Sequence, residues 1–473
     1  MKETIIFPKD FLWGSATAAE QIEQNGLNDF RDGRAPTIWD KWFETDNYRF
    51  FDGEFSQNDF YNKFKEDIKA ANDIGLKSLR LSISWSRLLP DGKNINQKAV
   101  DFYRAVFSEL KKYDMKIFVC LHHADLPLRI SDNGGWANKE TITEFTEFSL
   151  IAFKLFNDQV DYWFTFNEPN GEIWDAYWFN LQWPNKLDLT QGIVALWNMV
   201  VAHHRVLKEY RKFENQKPIG IILNPCIAIP RSEDPSDIEA AEMANLFQWK
   251  CFFDPIMIGK FPQKFIDEMD AKGFWPKNDI LEEEINLFKE NKIDILGINY
   301  YHPQRIKAPS SLKNWKGAVQ PTHWFEEYDM PGKRMNKYRG WEINPKVLYK
   351  LLMQCKNDYP DTILFVSENG MGVEGEDQFR NEAGVIQDDY RIDFLTEHIY
   401  WMHKAIEDGA NIIGYHMWTY IDNWSWMNAY KNRYGFIELD LKTNTRKLKK
   451  SAGWMKELSR TNQLEVDTTY YQN

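Results

Sequence analysis

The sequence predicts an α/β fold, a single (β/α)8 barrel of the TIM type with extended βα loops, occupying residues 1–473 as one domain. Three observations predict it. Eight short apolar runs recur along the chain, helix-like segments separate them, and no linker interrupts the series. Apolar runs without polar alternation are what parallel strands need when both faces are buried. Eight successive β/α units then close on themselves.

The runs come in order as FLWGSAT (11–17), SLRLSISW (78–85), KIFVCLH (116–122) and DYWFTFN (161–167). PIGIILN (218–224), IDILGINYY (293–301), TILFVSE (362–368) and IIGYHMW (412–418) complete them. Each is short and rich in β-branched or aromatic residues, as strands are. Between the first two, Phe60, Phe64, Ile68 and Ala71 fall on one face of a helix spanning Asp59 to Ile74. A plain barrel takes about 250 residues, so the excess length belongs to insertions. The longest candidate is 302–344, polar and carrying Pro303, Pro309, Pro321 and Pro331. It directly follows a strand, which places it at the C-terminal mouth as a pocket wall.

A net charge of −12 argues against nucleic-acid or anionic-membrane partners. Any anionic ligand would need a local basic pocket. Cys120, Cys226, Cys251 and Cys355 show no paired spacing and read as reduced thiols, with Cys120 and Cys226 buried in or beside strands. The N-terminal MKETIIFPKDF lacks a signal-peptide core, and no run of about 18 apolar residues occurs. The expectation is a cytoplasmic protein. His122-His123 and His203-His204 lack the spacing of a zinc site, so no metal and no cofactor are expected.

Barrel enzymes take their catalytic groups from the C-terminal strand ends. Those ends carry Gln21 and Glu23, Arg80, His123, Asn167 with Glu168, Asn299 with Tyr301, Glu368 and Trp418. Carboxylates, an arginine, a tyrosine and several amides suit glycoside hydrolysis. One carboxyl group protonates the departing oxygen, and the other stabilises or attacks the anomeric carbon. Glu168 and Glu368 are the natural pair, since each ends an apolar strand where packing has no use for a charge.

The motifs FPKDFLWGSATAAEQIE (7–23), LRLSISWSRLLPDG (79–92), FTFNEPN (164–170), DILGINYY (294–301), VSENGMG (366–372) and GYHMWTYIDNWSW (414–426) run through the chain in one order. In that order they resemble glycoside hydrolase family 1, the retaining β-glucosidase group. The resemblance implies that Glu168 is the acid/base and Glu368 the nucleophile, with Arg80 and Tyr301 bracketing Glu368 and Asn299 beside them. It implies that Asn167 binds the sugar 2-hydroxyl. Gln21, His123 and Trp426 would hold the 3- and 4-hydroxyls. Trp418 would floor the sugar subsite, and Trp341 would be the platform on the aglycone side. Ala124 stands where the family commonly has an aromatic residue, which would loosen one wall and blurs the separate roles of His122 and His123.

Family β-glucosidases read roughly W-S-L-L-D-N-F-E-W near the last strand, and that glutamate grips the 4- and 6-hydroxyls. Here Trp418 to Trp426 read WTYIDNWSW, so Ser425 replaces the glutamate. A carboxylate would repel a phosphate on O6, whereas a hydroxyl can donate to it. Lys431, Arg433 and Tyr434 follow. The segment WSWMNAYKNRYGF is similar to the 6-phospho-β-glucosidase branch, and it implies phosphate binding by Ser425, Lys431 and Tyr434. In more distant phospho-enzymes the lysine falls one position later, at Asn432 here. Arg433 could equally be a structural cation.

The function expected is retaining hydrolysis of 6-phospho-β-glucosides such as cellobiose 6-phosphate. A 6-phospho-β-galactosidase and a β-glucosidase for non-phosphorylated sugars are the alternatives. Intact catalytic residues count against a non-catalytic sugar-phosphate sensor. The partner is a small phosphorylated β-glycoside, with no nucleic acid and no membrane, and a homodimer is left open.

Overall fold

All eight apolar runs form strands. In the computed structural model, which describes residues 2–45, 54–311, 315 and 318–468, they are β1 (Leu12–Ala16), β2 (Ser78–Ser82), β3 (Lys116–His122) and β4 (Tyr162–Asn167). β5 (Ile219–Leu223), β6 (Ile295–Asn299), β7 (Ile363–Asn369) and β8 (Ile412–Met417) follow. Each pairs in parallel with its sequence neighbours, and β8 pairs with β1 to close the barrel. Parallel pairing puts every C-terminal strand end at one mouth.

Helices pack outside. They include Phe60–Asp73, one residue shorter at each end than the sequence pattern suggests, and the long Leu189–Tyr210 after β4. The inside of the barrel is a packed core. Phe118, Cys120, Phe164, Ile222, Ile295 and Phe365 form a separate buried cluster there, supplied by alternate strand positions. Gly14 of β1 permits close approach. A Cβ on it would lie 2.3 Å from Ser78 Oγ and 2.6 Å from the His416 ring. His203 and His204 are packing residues, bonded to Thr165 Oγ1 (2.7 Å) and to the carbonyls of Asn291 (3.0 Å) and Pro255 (3.2 Å).

The 302–344 insertion lies at the mouth, as expected, although its residues 312–314 and 316–317 fall outside the described ones. Its last part is a ribbon, Met335–Asn336 against Trp341–Glu342. Asn336 Nδ2 donates to the Gly372 carbonyl at 2.9 Å, which ties this ribbon to the loop after β7. At the opposite end of the chain order, Lys2–Ile6 runs antiparallel to Gln463–Asp467. Among the described residues no helix is long and apolar enough to cross a membrane.

Candidate active site

The strand ends converge on one pocket. It is lined by Gln21, His123, Asn167, Glu168, Tyr301, Trp341, Glu368, Trp418, Ser425, Trp426 and Tyr434. Arg80 and Asn299 lie fully buried just beneath them.

Glu368 sits at the end of β7, and both its oxygens accept hydrogen bonds. Arg80 Nη2 pairs with Oε1. Tyr301 Oη donates to Oε2 at 2.6 Å. Burial and the Glu368 charge push the Tyr301 phenol well above its ordinary range, so it stays a donor. Held from both sides, the carboxyl group is fixed in orientation. Its neighbours hold the turn. Ser367 Oγ accepts from Arg80 at 2.7 Å, and Asn369 Nδ2 donates to the Tyr300 carbonyl at 2.6 Å. Gly370 is needed for close approach, because a Cβ there would lie 2.0 Å from the Trp418 carbonyl oxygen.

Glu168 follows β4 in the left-handed region (φ 51°) and opens the helix Pro169–Ile173. Asn299 Nδ2 donates to its Oε1 at 2.6 Å. Burial first, and the Glu368 charge second, push its carboxyl up to about 7. Glu168 therefore holds its proton up to about neutral pH, while Glu368 faces a guanidinium and a hydroxyl donor. Two carboxyl groups in one pocket with different surroundings can serve glycoside hydrolysis, which needs one group to give a proton and one to act as nucleophile.

Asn167 joins the two halves. Its Oδ1 accepts from Arg80 Nη1 (2.8 Å) and from Asn299 Nδ2 (3.1 Å), and its Nδ2 donates to His123 Nε2 (3.1 Å). His123 is the pocket histidine. Burial and then the Arg80 charge push it well below its ordinary range, so it is neutral. His122 instead points away. Burial alone would lower it, but the Glu172 carboxylate 2.7 Å from Nε2 raises it. Gln21 donates from Nε2 to the Trp424 carbonyl at 2.6 Å, which leaves its Oε1 without a protein partner among the described residues. Glu23 is not in the pocket; it binds Arg87 (2.8 Å) and Tyr103 (2.9 Å).

The wall beside Ala124 is not loose. Ala124 takes a left-handed conformation (φ 54°), and its carbonyl accepts from Trp39 Nε1 at 2.7 Å. Trp39 stacks on Trp426 with ring centres 4.5 Å apart, so an aromatic from another loop backs that wall. Trp418 lies alongside His123, ring centres 6.2 Å apart.

The far edge departs from expectation at one residue. Ser425 and Tyr434 line the pocket. Lys431 does not line it. Asn432–Arg433 pairs antiparallel with Val373–Glu374, and this sends the exposed Lys431 outward, its Nζ 3.5 Å from Glu374 Oε1. Arg433 is structural, bonding the Leu439 carbonyl at 3.3 Å and standing 3.9 Å from Asp422. The cation that does line the pocket is Arg339, from the 302–344 insertion. No spacing in the sequence marked it, beyond its place two residues before Trp341. Asp175, Asn224, Cys226, His302 and Met427 were also missed as lining residues. Cys226 is half-buried there and not a core thiol; burial pushes it far above its ordinary range. Burial likewise pushes Asp175 up to about 7, against the pull of Arg339.

Residues 3–464 match the family described as glycosyl hydrolase family 1. The 6-phospho-beta-glucosidase GmuD of Bacillus subtilis is 44% identical over 96% of this chain and 97% of that protein. A 6-phospho-beta-galactosidase of Clostridium acetobutylicum is 34% identical over 96% and 97%. Among solved structures, the family 1 β-glucosidase from Thermotoga maritima superposes with a TM-score of 0.88 at 32% identity, covering 98% of this chain and 99% of that one. With that match over almost its whole length, and a barrel mouth built around Glu168 and Glu368, this chain belongs to glycosyl hydrolase family 1.

Proposed function

We propose that the chain is a cytoplasmic 6-phospho-β-glucosidase that works with retention, all of residues 1–473 forming one catalytic unit. The observation that carries this reading is the far edge of the pocket. There Ser425 and Tyr434 offer hydroxyl groups where a neutral-sugar enzyme would present a carboxylate. A phosphate on O6 wants donors and is repelled by anions. The similarity to a protein named as a 6-phospho-beta-glucosidase supports the same substrate class.

The chemistry follows from the two carboxyl groups. Glu368 attacks the anomeric carbon, the bond from that carbon to the aglycone oxygen breaks, and Glu168 gives its proton to that oxygen. Water then attacks the same carbon, Glu168 takes the water proton, and the bond to Glu368 breaks. Arg80 and Tyr301 orient the nucleophile. Asn299 holds Glu168, and Asn167 faces the 2-hydroxyl. Gln21, His123 and Trp426 bind the 3- and 4-hydroxyls, Trp418 floors the ring, and Trp341 carries the aglycone.

The test is kcat/KM for nitrophenyl β-glucoside and its 6-phosphate, with the galacto pair alongside. A preference for the glucoside phosphate of about a hundredfold or more, about 2.7 kcal/mol, is the expected result. Equal or faster turnover of the neutral glucoside would overturn the phosphate reading. Faster turnover of the galacto phosphate would reassign the sugar.

A further inference from the structure

Resting on the phosphosugar reading, we propose that Arg339 supplies the phosphate cation, in place of the lysine on the Ser425–Tyr434 loop. A dianion inside a protein of net charge −12 needs a cation at close range. Three candidates stand near that edge. Lys431 faces Glu374 and lies outside the pocket lining. Arg433 is committed to the Leu439 carbonyl and the Asp422 side. Asp422 is itself bound to Lys449 at 2.9 Å, so that cluster is already neutralised internally. Arg339 remains.

Its geometry suits the task. Nε donates to Tyr434 Oη at 3.2 Å, which places the guanidinium next to a hydroxyl of the phosphate edge. The guanidinium carbon stands 4.3 Å over the Trp341 ring. That stacking fixes the plane of the fork and lowers the ordering cost of binding an anion. Its contact to Tyr434 is through Nε, and the Asp175 carboxyl feels its charge across the pocket without bonding it, so Nη1 and Nη2 can turn to phosphate oxygens as a bidentate donor. Two anchors set the loop. Asn336 Nδ2 binds the Gly372 carbonyl (2.9 Å), and Asn432 Nδ2 binds the Tyr338 carbonyl (3.3 Å). The Asn432 side chain thus helps hold the segment that carries Arg339.

Gly372 completes the arrangement. A Cβ on it would lie 2.4–2.7 Å from the Tyr434 ring and hydroxyl, so only glycine lets Tyr434 sit under Arg339.

The experiment compares wild type with Arg339→Met, Arg339→Lys and Lys431→Met on nitrophenyl β-glucoside and its 6-phosphate. The readout is the ratio of the two kcat/KM values. Arg339→Met should lower the ratio about a hundredfold, mainly through KM for the phosphate. Arg339→Lys should recover part of it, and Lys431→Met should stay within about threefold of wild type. Three results overturn the proposal. One is a phosphate preference that survives Arg339→Met. Another is a collapse on Lys431→Met. The third is an equal fall on both substrates with Arg339→Met, which would make Arg339 a support for Trp341 alone. A wild type with no phosphate preference would sink the underlying substrate reading itself, and that control is read before any variant.

Discussion

Replacing Glu368 with glutamine removes a negative charge from beside Glu168 and should lower the pH at which Glu168 titrates. In the wild type, burial and the Glu368 charge together hold the Glu168 carboxyl at about 7, against an ordinary 4.5. Retaining carboxyl pairs stand about 5.5 Å apart, and two unit charges at that distance repel by about 3 kcal/mol at an effective dielectric of about 20. That energy corresponds to about a hundredfold change in proton affinity. Burial persists in the variant, so the midpoint should fall by about two pH units, to about 5, without reaching the ordinary value. The sign is definite. The neighbouring anion makes the proton harder to lose, so its removal makes deprotonation easier. Carbon-13 NMR of labelled glutamate carboxyls in both proteins reads the midpoint directly. Kinetics supply the wild-type counterpart: Glu168 must carry its proton to assist the leaving group, so kcat/KM should fall as pH rises through about 7. A midpoint unmoved in Glu368→Gln would refute the charge coupling. Survival of the basic limb in Glu168→Gln would assign that limb to another group.

Ser425→Glu should cut the preference for phosphorylated over neutral glucoside about a hundredfold or more, since like charges forced together cost several kcal/mol; an unchanged ratio counts against a phosphate at that edge. Glu168→Gln should lower kcat/KM by about 10²–10⁴ on glycosides with poor leaving groups. It should cost far less on dinitrophenyl glycosides, whose leaving group needs no proton, and equal losses on both would remove Glu168 from the acid role. Gly370→Ala drives a Cβ to 2.0 Å from the Trp418 carbonyl oxygen, so the backbone must shift at the floor of the subsite. Tm and kcat should fall together, by about 1–3 kcal/mol in stability; a variant unchanged in both would show that the turn adapts freely.

The barrel was legible because burial on both faces leaves no polar alternation in a strand. Apart from SLRLSISW (78–85), which alternates with buried polar residues, each of the runs is therefore a compact apolar signal. Glu168 and Glu368 were legible for the complementary reason, as charges at the ends of such runs. The far edge of the pocket was only half legible. Ser425 and Tyr434 follow closely on one stretch of chain, and both line the pocket. Which way Lys431 turns depends on the pairing of 432–433 with 373–374, a contact across some sixty residues of chain that local spacing does not carry. Arg339 reaches Tyr434 from 95 residues away, and nothing in its own segment reports that meeting. Ala124 misled for a similar reason. The missing aromatic is made good by Trp39, whose link to residue 124 is long-range.

The Asn167 side-chain oxygen touches Arg80, which bonds Glu368, and Asn299, which bonds Glu168. A single atom thus serves as the common datum from which both carboxyl groups are measured. The spacing between the carboxyls decides whether a glycosidase retains or inverts, and here neither group can drift without dragging that reference along. Changes made on one side of the site should be felt on the other as non-additive losses. Loops around such a mouth can change while the two carboxyl groups keep one shared reference in the Asn167 amide.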